Sequence, residues 1–167
     1  GLVNVLYDSY DDVGRDFGVH LLDTELAVDN PYMQAKVQTD NENFAIIRVS
    51  NYILGDASNF RLVEGGYYNY DHDTEYYSPI SMEVGLILSE SQYETGWDDE
   101  YLGYYEYVDN RVSDQGYKVN IIQDTIGEEH EDFVPENCAV FVANGVMYKV
   151  KGRVSIDYLM SIVNSMK

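Results

Sequence analysis

The stretch YYNYDHDTEYY, residues 67–77, gathers five tyrosines, three acids and a histidine into eleven positions. Such residues offer three chemistries: oxygen ligation of a cation, proton transfer by the histidine, and recognition through flat aromatic rings. If the stretch is extended, Tyr68, Tyr70, His72, Thr74 and Tyr76 share one face, and Tyr67, Asn69, Asp71, Asp73, Glu75 and Tyr77 share the other. Acids on alternate residues then stand ~7 Å apart, whereas calcium needs roughly six to eight oxygens around one point. A calcium loop of the EF-hand type beginning at Asp71 also fails. Tyr76 stands where the turn requires glycine, and Met82 where the bidentate glutamate belongs. Neither a metal site nor any other cofactor is expected.

The aromatic chemistry survives this test. Together with YLGYYEY at 101–107 and Trp97, the tyrosines can form a stacked surface. Tyrosine offers a large flat area and a polar handle at small entropic cost. The candidate ligand-binding residues are Tyr68, Tyr70, Trp97, Tyr104 and Tyr105, suited to a glycan, a peptide or a small apolar ligand. Tyrosine is also a favoured residue of half-buried strands, so ordinary sheet packing accounts for the same pattern.

Catalytic constellations are scarce, and no catalytic residue is assigned. His20, His72 and His130 are far apart, and HEDFV lacks the second histidine of H-E-x-x-H. There is no phosphate-binding Gly-Lys-Ser/Thr loop and no G-x-S-x-G elbow. Cys138 is the single cysteine, so no disulfide closes within the chain, and its setting in NCAVFVA is that of a small buried hydrophobe. A pair of carboxylates could hydrolyse a glycoside. With thirty acids present no pair is singled out, and a small hydrolase of that kind is kept only as an alternative.

The elements that must position these residues are mostly strands. The 167 residues suit one domain. Ten Lys plus Arg against thirty Asp plus Glu give a net charge of −20, which repels nucleic acid and anionic membranes. No apolar run is long enough to span a bilayer and no signal peptide is present, so membrane association is expected only through an anchor outside this sequence. Oligomeric state is left open.

SYDDVGRDFG at 9–18 predicts a helix. Ser9 can cap it, Tyr10, Val13 and Phe17 share a face, and Gly18 can end it. LLDTELAV is read as a second short helical piece before Asn30-Pro31. MQAKVQT and FAIIRVSNYIL flank the turn DNEN, with Met33, Ala35 and Val37 on a common face and the second run placed centrally. Gly65-Gly66 joins NFRLVE to the tyrosine stretch as a hairpin. In ISMEVGLILS the residues Ile80, Met82, Val84, Leu86 and Leu88 line one side. YLGYYEYV and YKVNIIQ are separated by DNRVSDQG, read as a connection, and Asn144-Gly145 gives the strongest hairpin signal. Gly85 and Gly103 are available for bends. Finally SIDYLMSIVNSM, capped by Ser155, carries the apolar stripe Ile156, Leu159, Met160, Val163 and Met166. The expected fold is α+β: a curved antiparallel sheet of seven to nine strands with a short N-terminal helix and a C-terminal helix packed on it.

The ending NGVMYKVKGRVSIDYLMSIVNSM, residues 144–166, resembles that of a bacterial family described only as domain of unknown function 4367. The matching positions are Asn144 and Gly145 in the turn, Tyr148 and Val150 in the strand, Gly152, the cap Ser155, Leu159 and Ile162 in the helix, and the closing Ser165. SYDDVGRDFG resembles the family's opening helix. The chain departs in carrying Phe141 where the family often has tryptophan, and in lacking its proline-rich segment after the first helix. The resemblance implies a single extracytoplasmic domain of a lipoprotein or membrane-anchored protein of Gram-positive bacteria, with no enzymatic residue set. It also implies two roles to weigh: a sensing or binding module, or a carrier holding an apolar ligand in the concave face of its sheet.

Overall fold

A computed structural model describes residues 1–24, 34–50, 53–54, 76–77, 80–88, 105–124 and 135–167. Strand β1 (Val3–Tyr7) leads into helix α1 (Tyr10–Phe17), followed by β2 (Gln34–Thr39) and β3 (Phe44–Ser50). Two short strands, β4 (Ile53–Leu54) and β5 (Tyr76–Tyr77), pair with each other. Then come β6 (Ile80–Ile87), β7 (Tyr105–Val112), β8 (Lys118–Asp124), β9 (Asn137–Ala143), β10 (Val146–Gly152) and helix α2 (Ile156–Ser165). Eight strands form one open, curved antiparallel sheet in the order β1-β2-β3-β6-β10-β9-β8-β7. This is the α+β fold read from the pattern.

Local signals explain the element ends. Ser9 accepts a hydrogen bond from the Asp12 N–H and Gly18 closes α1 in the left-handed conformation at φ 65°. The Gly18 N–H reaches the Arg15 carbonyl and the Val19 N–H that of Gly14, a Schellman ending. Asn144 (φ 52°) and Gly145 (φ 76°) make the two-residue turn between β9 and β10, where both central residues need positive φ. At the β2–β3 turn the Asp40 carboxylate accepts from the backbone N–H groups of Glu42, Asn43 and Phe44 and from the Asn43 amide.

Both helices cover one face of the sheet. Alternate residues Ala35, Val37, Ala45, Ile47, Val49, Met82, Val84, Leu86, Ile121, Ala139, Phe141, Tyr148 and Val150 are buried beneath Val13 of α1 and Leu159, Ile162 and Val163 of α2. Burying each such aliphatic side chain contributes roughly 1.5–3 kcal/mol, so this face supplies most of the stabilising burial. Phe141 stacks with Tyr148 on one side (centroids 5.2 Å, planes 14°) and with Tyr117 on the other (5.4 Å, 14°). The three rings thus form a continuous stack centred on Phe141, which is fully buried.

Four readings need correction or lie out of view. Leu21–Thr24 is not helical; Leu22 is buried and its backbone groups are satisfied by tyrosine hydroxyls instead of a helical ladder. FAIIRVSNYIL is not one strand: β3 stops at Ser50, and Ile53–Leu54 join the small β4–β5 ladder. The connection read in DNRVSDQG shrinks to 113–117, because Asp109, Asn110, Arg111 and Val112 continue β7 opposite β8. Polar residues fit there because β7 is an edge strand that faces water. The hairpin at Gly65-Gly66, Met33, Gly103 and the remainder of LLDTELAV lie outside the described residues.

Candidate functional site

Of the five candidate ligand-binding residues, Tyr68, Tyr70, Trp97 and Tyr104 lie outside the described residues, as do His72, His130, Asp71 and Asp73. Tyr105 opens β7, and the structure places it on the face of the sheet opposite the helices. Its strand partner is Asp124 of β8, and its hydroxyl donates to the Glu136 carboxylate. Glu136 is held there by its own backbone, whose carbonyl accepts from the Asp124 N–H at 2.9 Å. Burial, reinforced by the neighbouring carboxylate, keeps the Tyr105 phenol protonated well above the ordinary range.

Beneath the Tyr105 ring lies a small apolar cluster of Ile122, Cys138, Val140 and Met147, with Val142 at its margin. Cys138 belongs to this cluster as the sequence suggests. Burial pushes its thiol up to about 12, which leaves no thiolate at neutral pH for nucleophilic work.

Tyr107 sits two residues further along on the same face, opposite Ile122, and is 47% exposed. Its hydroxyl accepts from the Asn110 side-chain amide at 2.8 Å. That contact depends on a β-bulge. Register slips between Tyr107 and Asp109, so Asn110 lands opposite Asn120 and shares the face of Tyr107. Asp109 then pairs with Arg111 at 2.7 Å, and Arg111 reaches Asp157 of α2 at 3.5 Å. The Arg111 guanidinium and the Asn110 N–H hold the Asp109 carboxyl below the usual carboxylate range. Tyr107 and Asn110 were not among the candidates. Tyr107 belongs to the same YLGYYEY run as Tyr105 and, two residues on, shares its face, so strand alternation is a signal that could have found it; Asn110 joins only through the bulge.

Further across the same face a charged row crosses the sheet. Lys36, Arg48, Glu83 and Lys149 are successive cross-strand partners on β2, β3, β6 and β10. Glu83 lies between two cations, 3.6 Å from Arg48 and 3.9 Å from Lys149. Nothing in this row converges on a reacting point. Among the described residues no group of three or more His, Cys, Asp or Glu side chains is placed to hold a metal ion. No described helix is long and apolar enough to cross a membrane.

What the β7 margin can do chemically is present two phenol rings and an amide on a sheet surface, one ring anchored and one open to solvent. Comparison with protein-family models, with curated proteins and with solved structures finds no match for this chain.

Proposed function

We propose that this chain is a non-catalytic extracytoplasmic binding module that engages its ligand on the outer face of β7, around Tyr105 and Tyr107. The observation that carries the reading is the setting of Tyr107. It is 47% exposed on the face opposite both helices, and its hydroxyl is oriented by Asn110. A ring held in this way loses little freedom when a flat partner stacks on it. The partner that fits is a neutral glycan or an uncharged peptide segment, since the net charge of −20 repels nucleic acid and other polyanions. The exported address rests on the resemblance of the two chain ends. An anchor outside this sequence would supply any membrane association.

The competing carrier role needs a hollow between sheet and helices. The inward side chains of the described strands are instead packed against α1, α2 and one another, with the Tyr117–Phe141–Tyr148 stack filling the middle. This favours recognition at the surface.

Arrays of cell-wall glycans and of neutral peptides, probed with the wild type and with Tyr107→Ala, test the proposal. Binding that falls at least about ten-fold in the variant supports it. Binding unaffected by Tyr107→Ala moves the site elsewhere, and capture of a fluorescent fatty acid with no array signal favours the carrier.

A further inference from the structure

The two edges of the sheet are built differently. At one edge, β7 carries Glu106, Asp109 and Arg111 and a bulge, devices that keep an edge from pairing with another chain. At the other, β1 has none of them. Its register against β2 is regular from Val3 to Tyr7, and residues 1–7 hold no charged side chain and no proline. The apolar residues there are open to water: Leu2 is 55% exposed, Val3 43%, Val5 41% and Leu6 64%. In a chain of which 24% is charged, this is a conspicuous gap in the protection of an edge.

The sequence of that edge is Leu2-Val3-Asn4-Val5-Leu6, which reads identically in both directions. An antiparallel strand pair about a two-fold axis sets residue i against residue j whenever the two numbers have a constant sum. Centred on Asn4, the palindrome sets Leu2 against Leu6, Val3 against Val5 and Asn4 against its own copy. Cross-strand partners lie on the same face. Val3 and Val5 would therefore meet on the side of the helices, with the leucines and Asn4 on the other side. Asparagine carries both donor and acceptor, so two facing side chains satisfy each other across the axis.

The geometry points to β1 as a homodimerisation edge: two copies pair β1 against β1 in the Asn4-centred register, joining their sheets into one. A second copy fits better than an unrelated strand because only a self-pairing makes use of the palindrome. Its uncharged contact also lets two chains of −20 meet where no carboxylate is pressed against another. The rest of each molecule still repels its partner. Added salt therefore tightens the dimer, the opposite of an interface held by ion pairs. Such a dimer would leave the Tyr105 and Tyr107 face of each copy at the far margin, so the inference stands independently of the proposed ligand site.

Sedimentation equilibrium of the wild type, from about 10 μM to 1 mM, tests this at two salt levels. A five-residue strand pair is a small contact, so the expected result is a weak dimer, tightened about ten-fold between roughly 0.05 and 0.5 M NaCl. Asn4→Lys places like charges across the axis and should give a monomer of unchanged circular dichroism and melting temperature. Register is read by oxidation of single-cysteine substitutions. Asn4→Cys faces itself within disulfide reach and should cross-link, whereas Leu6→Cys faces residue 2 and should not. If Asn4→Lys fails to fold, the cysteine comparison decides. A wild type monomeric at 1 mM in both salts overturns the proposal. So does a dimer that survives Asn4→Lys, or one in which Leu6→Cys cross-links as readily as Asn4→Cys.

Discussion

The hydroxyls of Tyr10 and Tyr148 hold opposite backbone groups of one residue. Tyr10 donates to the Leu22 carbonyl at 3.0 Å, and the Tyr148 hydroxyl accepts from the Leu22 N–H at 2.9 Å. Leu22 belongs to no helix or strand, yet it is 3% exposed, so both polar groups would otherwise be buried without partners. One tyrosine comes from α1 and the other from β10, so this clamp ties the two ends of the chain together. The Asp23 N–H, bonded to the Lys167 carbonyl at 2.9 Å, extends the same seam.

Removing either hydroxyl leaves a buried backbone group unsatisfied, at a cost of about 1–3 kcal/mol. Tyr10→Phe and Tyr148→Phe should each lower urea-denaturation stability by that order. The double variant should lose less than the sum, because a released segment exposes both groups to water together. Full additivity would mean that the two bonds act on separate structures.

Ionisation of Tyr148 gives the same clamp a pH dependence. Burial, only partly opposed by the bond from Leu22, raises its phenol from 10.0 to about 12. The unfolded chain releases this proton first, so alkali favours unfolding. The contribution is intact below pH 10 and is lost as pH rises from 10 to about 12. Denaturation midpoints followed through that window should fall more steeply in the wild type than in Tyr148→Phe.

Much of this framework could be read locally. Ser9 and Gly18 bracket α1, Asn144-Gly145 turns β9 into β10, and the alternation of Ile80, Met82, Val84 and Leu86 gives β6 its buried face, because each signal acts within a few residues. Two other features were hidden for physical reasons. The insertion of β6 between β3 and β10 is a matter of long-range pairing, which no single segment encodes. The extension of β7 through Asp109–Val112 was masked because an edge strand tolerates the polar residues that elsewhere mark a loop. At the candidate site Tyr105 was legible as part of the tyrosine-rich run YLGYYEY. Asn110 was not, since a bulge changes which residues share a face.

Gly14 separates two opposing effects. Glycine in a helix interior costs up to about 1 kcal/mol relative to alanine, so propensity alone predicts that Gly14→Ala stabilises. A β-carbon there would lie 3.0 Å from the Val19 carbonyl oxygen and 3.4 Å from Leu21 Cγ. Val19 cannot easily retreat, because its N–H is bonded to the Gly14 carbonyl at 3.0 Å. The close approach should win. Calorimetry is expected to show a lower melting temperature for Gly14→Ala, and a rise would mean that the turn after α1 gives way cheaply.

Asp40 should make the β2–β3 turn sensitive to acid. Three backbone donors and the Asn43 amide hold its carboxyl well below the usual carboxylate range. A lowered folded pKa gives stabilisation that is present above the unfolded value of 3.8 and lost as pH falls beneath it. The wild type should therefore melt higher than Asp40→Asn at about pH 7, with the difference shrinking below about pH 4. A difference constant across that range would show that the carboxylate charge contributes nothing.

The C-terminus of α2 depends on a residue from another hairpin. Gln115, in the turn between β7 and β8, donates its amide to the carbonyls of Val163 (3.0 Å), Asn164 (3.1 Å) and Met166 (2.5 Å). In the same turn the Asp114 N–H bonds to the Asn164 side chain at 2.9 Å. A helix end leaves its last carbonyls without partners, and α2 has no basic residue in its final turn to meet them. Gln115→Ala should cost about 1–2 kcal/mol and speed hydrogen exchange in the last turn of α2, leaving α1 unchanged. Gln115→Glu should cost more, since a carboxylate would face three carbonyl oxygens and the negative end of the helix dipole. If the glutamate variant proves as stable as the wild type, the end of α2 is held by the Asp114–Asn164 contact and by packing of Met166.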